Sequence, residues 1–149
     1  MAELAIREMS ADAGFAAQLE QALLDDLSAL LPQACNTTLA YAAHAACGAC
    51  VAGIRGSTSY GWLRIGLLWV HPDHRGYGLG RRLLDAAISA AVMRGCHACW
   101  LETSNPEARV FYERLGFLEF GKLGNLDGQV TPNHRRWFLQ RHIGSVDET

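Results

Sequence analysis

Apolar positions along the chain follow two periods, and the points where one gives way to the other mark out its elements. "LAIREM", residues 4 to 9, sets Leu4 and Ile6 against Ala5 and Arg7 and reads as a first strand. Phe15, Leu19, Leu23, Leu27 and Leu30 then recur at helical spacing, with Ser10 as N-cap and Pro32 as the stop. From Thr37 to Val70 the period shortens into three stretches, "TTLAYAA", "ACVAGI" and "WLRIGLLWV", punctuated by Gly48 and by "RGSTSYG". Those predict an antiparallel meander. The third stretch is apolar on both faces near its end, as a central strand covered on two sides would be.

Helical spacing returns over residues 79 to 94, where Leu79, Leu83, Ala87, Ile88 and Ala91 share a face and Gly95 follows as the C-terminal cap. "ACWLETS" is a strand again, so a crossover makes "LLWV" and "CWLE" parallel neighbours. "NPEARVFYERLGF" is a second crossover-type helix, with Asn105 at the N-cap, Pro106 at the first helical position, Glu107 in the first turn and Gly116 just past Leu115. "FLEFGKL" and "HRRWFLQRHI" close the chain as a hairpin around the turn-rich "GNLDGQVTPN". The pattern predicts one mixed α/β domain over residues 1–149.

Composition narrows the function classes. Of 149 residues 50% are apolar and 19% charged, which suits an ordinary globular chain. Arg64, Asp85 and Arg94 interrupt the apolar runs well short of a membrane span, and "MAELAIREMS" lacks the basic-then-apolar order of a secretory signal, so a cytoplasmic protein without membrane attachment is expected. A net charge of −2 argues against nucleic acid as a partner. The charge is uneven, however: residues 1–59 hold six acids against Arg7 and Arg55, and the other eleven of thirteen basic residues follow. An anion site is therefore expected in the later part.

The residues for such a site stand between the third strand and the next helix, in "HPDHRGYGLGRRLL". Two familiar phosphate loops fail on spacing. The dinucleotide fingerprint needs glycine where Arg81 or Leu83 stands, and the P-loop needs a lysine, of which the chain has only the distant Lys122. What remains is Arg75-Gly76-Tyr77-Gly78-Leu79-Gly80. Its backbone N–H groups, continued by the free N–H groups at the helix start, can cradle a pyrophosphate, with Arg75, Arg81 and Arg82 adding charge. A glycine-rich turn with solvated arginines is the plain alternative.

That segment, followed by "WLETSNPEARVFYERLGF", resembles the GCN5-related N-acetyltransferases, the GNAT family. Arg75, Gly78 and Gly80 are similar to its Q/R-x-x-G-x-G/A coenzyme motif; Asn105, Ala108, Phe111, Tyr112, Leu115, Gly116 and Phe117 resemble its later helix. The resemblance covers roughly residues 48–142. It implies the GNAT fold: a mixed sheet of six to seven strands flanked by about four helices, with an antiparallel N-terminal meander, a parallel pair that splays apart and a C-terminal hairpin. It further implies acetyl-coenzyme A as co-substrate, with Leu68, Trp69 and Val70 along the pantetheine arm and Gly76, Tyr77, Gly78, Leu79, Gly80 and Arg81 around the pyrophosphate. By position Tyr112 matches the family's general acid, and Asn105 bonds either the coenzyme or its own helix.

An amine acceptor must lose a proton, and Glu102, at the end of its strand and on a face with Trp100, is the best carboxylate offered as base. The Val70 N–H is the expected partner of the thioester oxygen. The acceptor stays open among small amine, antibiotic, polyamine and peptide amine. A catalytically silent coenzyme A sensor on the same fold is the alternative function. "CGAC" and "CHAC" together resemble a four-thiolate zinc site, but the predicted topology sets Cys47 and Cys50 at the opposite end of the sheet from Cys96 and Cys99, so no metal is expected. The edge strands of the C-terminal hairpin offer a surface on which two copies could pair.

Overall fold

The structure is a computed structural model that describes residues 2–31 and 36–144. Its contacts divide the chain into two compact units, Met1–Cys35 and Asn36–Thr149. In the first, α1 spans Phe15–Leu30. The Asp12 carboxylate opens it by accepting from the N–H groups of Gly14 (2.9 Å) and Phe15 (3.0 Å). Gly14 holds the N-cap position, not Ser10 as expected, and the Asp12 carboxylate takes over the accepting role at the helix start. Pro32 lies outside the described residues. The expected strand at "LAIREM" does not form: Leu4 and Ile6 are fully exposed, and without a partner ladder alternation alone cannot hold an extended segment.

The second unit is a six-stranded sheet in the order β1-β2-β3-β4-β6-β5. Its strands are β1 Thr37–His44, β2 Cys50–Ser59, β3 Trp62–Val70, β4 Ala98–Thr103, β5 Leu118–Gly124 and β6 Arg135–His142. Two helices join them, α2 Leu79–Met93 between the parallel β3 and β4, and α3 Pro106–Arg114 between β4 and β5. α3 carries the chain past the slot beside β4, which β6 then fills antiparallel to both neighbours. Among the described residues six strands and three α-helices thus stand where six to seven strands and about four helices were expected. "RGSTSYG" is not the break it looked like, since β2 runs through to Ser59 and the turn is confined to Tyr60 and Gly61. Among the described residues no helix is long and apolar enough to cross a membrane.

Both helices cover one face of this sheet. Leu83, Leu84, Ala87 and Ala91 of α2 and Tyr112 of α3 pack with Leu63, Ile65, Cys99, Leu101 and Leu139, all buried. Register fixes that face, because Leu63 pairs with Cys99, Ile65 with Leu101, and Leu101 with Leu139. Strand alternation sends Trp62, Arg64, Trp100, Glu102, Phe138 and Gln140 to the other side. Arg94, just past α2, ties that helix to the meander through the carbonyls of Thr37 and Thr38 and the hydroxyl of Thr58, each at 3.2 Å.

One irregularity positions the site. The β2–β3 register shifts between Arg55 and Gly56, so that Arg55 faces Leu67, Gly56 faces Ile65, and Gly66 is left over as a bulge. A side chain on Gly56 would meet the Arg64 carbonyl oxygen at 2.5 Å, an approach only glycine permits. Gly56→Ala is expected to destabilise by about 1–3 kcal/mol, because backbone has to give way there rather than a side-chain tip. The urea midpoint of the variant should fall at unchanged slope; an unshifted midpoint would mean that the bulge is soft.

Candidate active site

The bulge marks where two neighbours part. β3 and β4 are paired from Trp62 and Ala98 only as far as Ile65 and Leu101. Beyond that point β3 stays with β2, through Leu67, Leu68, Trp69 and Val70, while β4 stays with β6, through Glu102 and Thr103. Each strand keeps its outer ladder and loses its inner one. The His71 N–H donates to the Val51 carbonyl of β2 at 2.7 Å, so by alternation the N–H and C=O of Leu68 and Val70 point the other way, into the gap. One of these four groups is used: Arg75 Nε donates to the Val70 carbonyl at 2.9 Å. The rest form a short open edge, the kind of surface to which an extended ligand adds as a strand.

At the mouth of the gap the chain makes a 3-10 turn, Pro72–His74, and then the glycine loop. Gly76 and Gly78 have φ of 84° and 80°, and nothing lies within 4 Å of where their side chains would be. These two are glycine for backbone conformation, and they leave the loop open to its surroundings. Gly80 differs. It lies inside α2, where a Cβ would meet Phe111 of α3 at 3.3 Å, so it locks the two helices together. Gly78 is the N-cap of α2 and offers no side chain to it, which leaves the amides of Leu79, Gly80 and Arg81 pointing outward at the positive end of the helix. Arg81 stands 4.0 Å from Asp85 one turn on, an exposed contact too weak to withhold it from an anion. Tyr77 is exposed beside it.

Tyr112 lies on the helix-covered face. Its ring meets Phe111 at 5.1 Å and Phe117 at 5.3 Å edge-on, and the residue is 6% exposed. Gly116, at φ 88°, ends α3: its N–H returns to the Glu113 carbonyl and that of Phe117 to the Tyr112 carbonyl, which fixes the turn beneath the ring. Burial pushes the Tyr112 hydroxyl up to about 12, and the neighbouring Cys99 thiol adds to the rise. Cys99, buried in the same core, is likewise pushed up to about 12 by burial.

Glu102 stands on the opposite face, in the first β4 position beyond the last pair with β3. Arg64 is 3.9 Å from its carboxylate and lies over the Trp100 ring at 5.1 Å. Both side chains are solvent-accessible, so the contact is a weak one. Asn105 caps α3, its Oδ1 accepting from the Glu107 N–H at 2.9 Å, which leaves its Nδ2 to donate elsewhere.

The expected residues therefore fall into two groups on either side of one gap. Leu68, Val70 and Tyr112 belong to the helix-covered face, Trp69 and Glu102 to the other, and the loop 76–81 closes the mouth. Gly66 and Phe111 were missed as determinants of this geometry. An isolated glycine within a strand pattern was the available signal for the first; nothing short of the fold could reveal that Phe111 meets Gly80. The cysteine pairs separate as topology required: Cys50 pairs with His44 near the end of β3 and Cys99 pairs with Leu63 near its beginning.

The family profile of the acetyltransferase (GNAT) domain matches residues 33–119. An acetyltransferase of Agrobacterium fabrum is 43% identical over 74 residues, 50% of this chain and 54% of that protein. The blasticidin-S acetyltransferase of Streptomyces morookaense is 38% identical over 71 residues, 47% of this chain and 52% of its own. The matches thus span about half the length of these relatives. A crystal structure from Agrobacterium tumefaciens, assigned only provisionally as an acetyltransferase, superposes with a TM-score of 0.81 at 27% identity over 95% of this chain and 99% of its own.

The raised values of Tyr112 and Cys99 make alkaline stability a direct probe of the packed face. In the unfolded chain the thiol ionises near pH 9 and the phenol near pH 10, whereas the folded protein retains both protons to about pH 12. Their contribution is whole below pH 9 and is lost as pH rises through 12. Urea midpoints should decline over that window, and Tyr112→Phe should flatten the part above pH 10. A decline as steep in the variant would place the phenol in solvent.

Proposed function

The chain belongs to the GNAT acetyltransferase family, and from that premise we propose that it transfers an acetyl group from acetyl-coenzyme A to a primary amine. The single observation behind this reading is the parting of β3 from β4 after Ile65 and Leu101, with a loop of outward amides behind it. Residues 1–149 are read as one such domain, a reading supported by the extent of the match to the Agrobacterium tumefaciens structure.

The site fits the coenzyme in two places. The open backbone of Leu68 and Val70 suits the two amides of a pantetheine arm, with Trp69 beside them. The amides from Gly76 to Arg81, including those of Tyr77, Leu79 and Gly80, suit a pyrophosphate, and Arg75, Arg81 and Arg82 bring charge to the same end. The Nδ2 of Asn105 is left to reach the arm from the β4 side. Acetyl-coenzyme A supplies an activated acyl carbon and a thiolate leaving group.

The protein's task is to place the amine and move two protons. An amine with a pKa near ~10 is neutral about once in a thousand molecules at pH 7, roughly 4 kcal/mol against reaction. Glu102, on the open face, takes the amine's proton directly or through water. The Val70 N–H stabilises the negative charge that develops on the acyl oxygen. As the nitrogen bonds the acyl carbon and the carbon–sulfur bond breaks, Tyr112, on the packed face, gives its proton to the departing sulfur and is restored by the second proton that the nitrogen sheds on becoming an amide. A phenol held near pKa 12 stays protonated through the working pH range, and it is effective only against a sulfur placed directly beside it. Acid and base on opposite faces keep the two transfers from short-circuiting.

A silent coenzyme A sensor shares the loop and the gap but has no use for Tyr112. Thiol release from acetyl-coenzyme A with a panel of amines separates the readings. Tyr112→Phe should lower kcat by on the order of 10²–10⁴ and leave calorimetric coenzyme A affinity unchanged. Gly78→Val, strained at φ 80°, should weaken that affinity roughly tenfold or more. Coenzyme uptake with no thiol release for any amine would favour the sensor, and no uptake at all would overturn both. The outer strand β5, with Leu118 and Leu123 exposed, supports pairing of two copies along that edge.

A further inference from the structure

The open face of the sheet carries a groove that the transfer chemistry does not explain. It is lined by Trp62 of β3, Trp100 of β4, Phe120 of β5, and Phe138 and Gln140 of β6, around a volume of about 470 Å³. Its aromatic walls are ordered against one another: Trp100 meets Phe120 edge-on with centroids 6.5 Å apart, and Phe120 meets Phe138 at 6.1 Å. Phe120 remains 50% exposed, which is a poor use of a phenyl ring unless something apolar lies on it. Gln140 is the one uncharged polar side chain among the lining residues.

The groove leads to the gap. Phe138 pairs directly with Glu102, Gln140 with Trp100, and Trp100 with Arg64, so the aromatic floor runs without a break to the carboxylate beside the split. At that end the Arg64 guanidinium stands 3.9 Å from the Glu102 carboxylate. None of the residues lining the groove carries a carboxylate, so a second ammonium on the ligand would go unpaired there or meet the Arg64 guanidinium beside Glu102. A single ammonium on a flat apolar body satisfies both ends: the body stacks in the groove, and the amine arrives at Glu102.

We propose that the acceptor is a monoamine on an aromatic or similarly flat apolar body, seated in the groove of Trp62, Trp100, Phe120 and Phe138. This rests on the acetyltransferase reading above and names the substrate class for the same site. A groove lined without any carboxylate disfavours polyamines and multiply charged amines, and its aromatic wall would go unfilled by short polar amines.

The test uses 2-phenylethylamine and spermidine as probes, in the presence of coenzyme A for binding and acetyl-coenzyme A for turnover. Indole N–H signals in a ¹H–¹⁵N spectrum, assigned with Trp62→Phe and Trp100→Phe, report the groove whether or not chemistry follows. 2-Phenylethylamine should shift Trp62 and Trp100, spare Trp137, and turn over with a kcat/KM on the order of tenfold or more above spermidine. Phe138→Ala should erase that preference through KM while leaving coenzyme A affinity intact, which certifies the fold of the variant. A better kcat/KM for spermidine, or turnover of 2-phenylethylamine without movement of either indole, overturns the proposal. So do indole signals that respond to protein dilution but not to amine, which would assign the face to a second copy of the chain. Indole shifts without thiol release would sustain the groove's preference and sink the acetyltransferase reading instead.

Discussion

Two parallel strands that stop bonding to each other while each keeps its other neighbour are the constraint on which this structure turns. Ladder hydrogen bonds are normally completed across a sheet interior, and leaving them open is unfavourable unless water or a ligand takes their place. Here β3 is held by β2 and β4 by β6, so neither strand can swing across to close the split. The bulge at Gly66, enforced by the close approach at Gly56, turns β3 away where its bonds to β4 end. The opening is thus written into the backbone of three strands, and its lining is main chain whose chemistry hardly depends on side-chain identity.

The surrounding parts serve this opening from two sides. α2 begins at its mouth with an N-cap that has no side chain, and α3 is held against α2 by the contact of Phe111 with Gly80. That contact fixes where Tyr112 stands relative to the loop. On the far side Glu102, Arg64 and the aromatic groove remain open to solvent. Within the second unit the face away from α2 and α3 is accessible, so Tyr112 and Glu102 have different dielectric surroundings: the phenol is buried and pushed up to about 12, and the carboxylate is accessible with Arg64 3.9 Å away.

Much of this was legible in the sequence because local rules and the fold agree. β3 spans the apolar stretch expected for it, α2 starts at the glycine loop, and Asn105, Pro106 and Gly116 bound α3 as their chemistry dictates. The glycine motif carried the resemblance because its glycines are tied to residue type, Gly78 by a positive φ and Gly80 by the close approach of Phe111. The first strand failed for the opposite reason. Alternation in "LAIREM" expresses a preference, but a strand exists only through its neighbour, and the described sheet ends at β1. "RGSTSYG" misled similarly, since Gly56 is needed inside β2 for a close backbone approach and not to end it. The partition of Tyr112 and Glu102 between faces follows from register, and the aromatic groove needs four strands at once, so neither could be read from spacing along one segment.

Amide hydrogen exchange at Leu68, Trp69 and Val70, followed with and without coenzyme A, bears most directly on the open-edge claim. Free protein should exchange Leu68 and Val70 quickly and Trp69 slowly, since only Trp69 turns its N–H toward β2, and coenzyme A should slow Leu68 and Val70 while leaving Trp69 as it was. Equal protection of all three in the free protein, or coenzyme uptake that leaves Leu68 and Val70 exchanging as before, would show that the edge is not where the ligand is held.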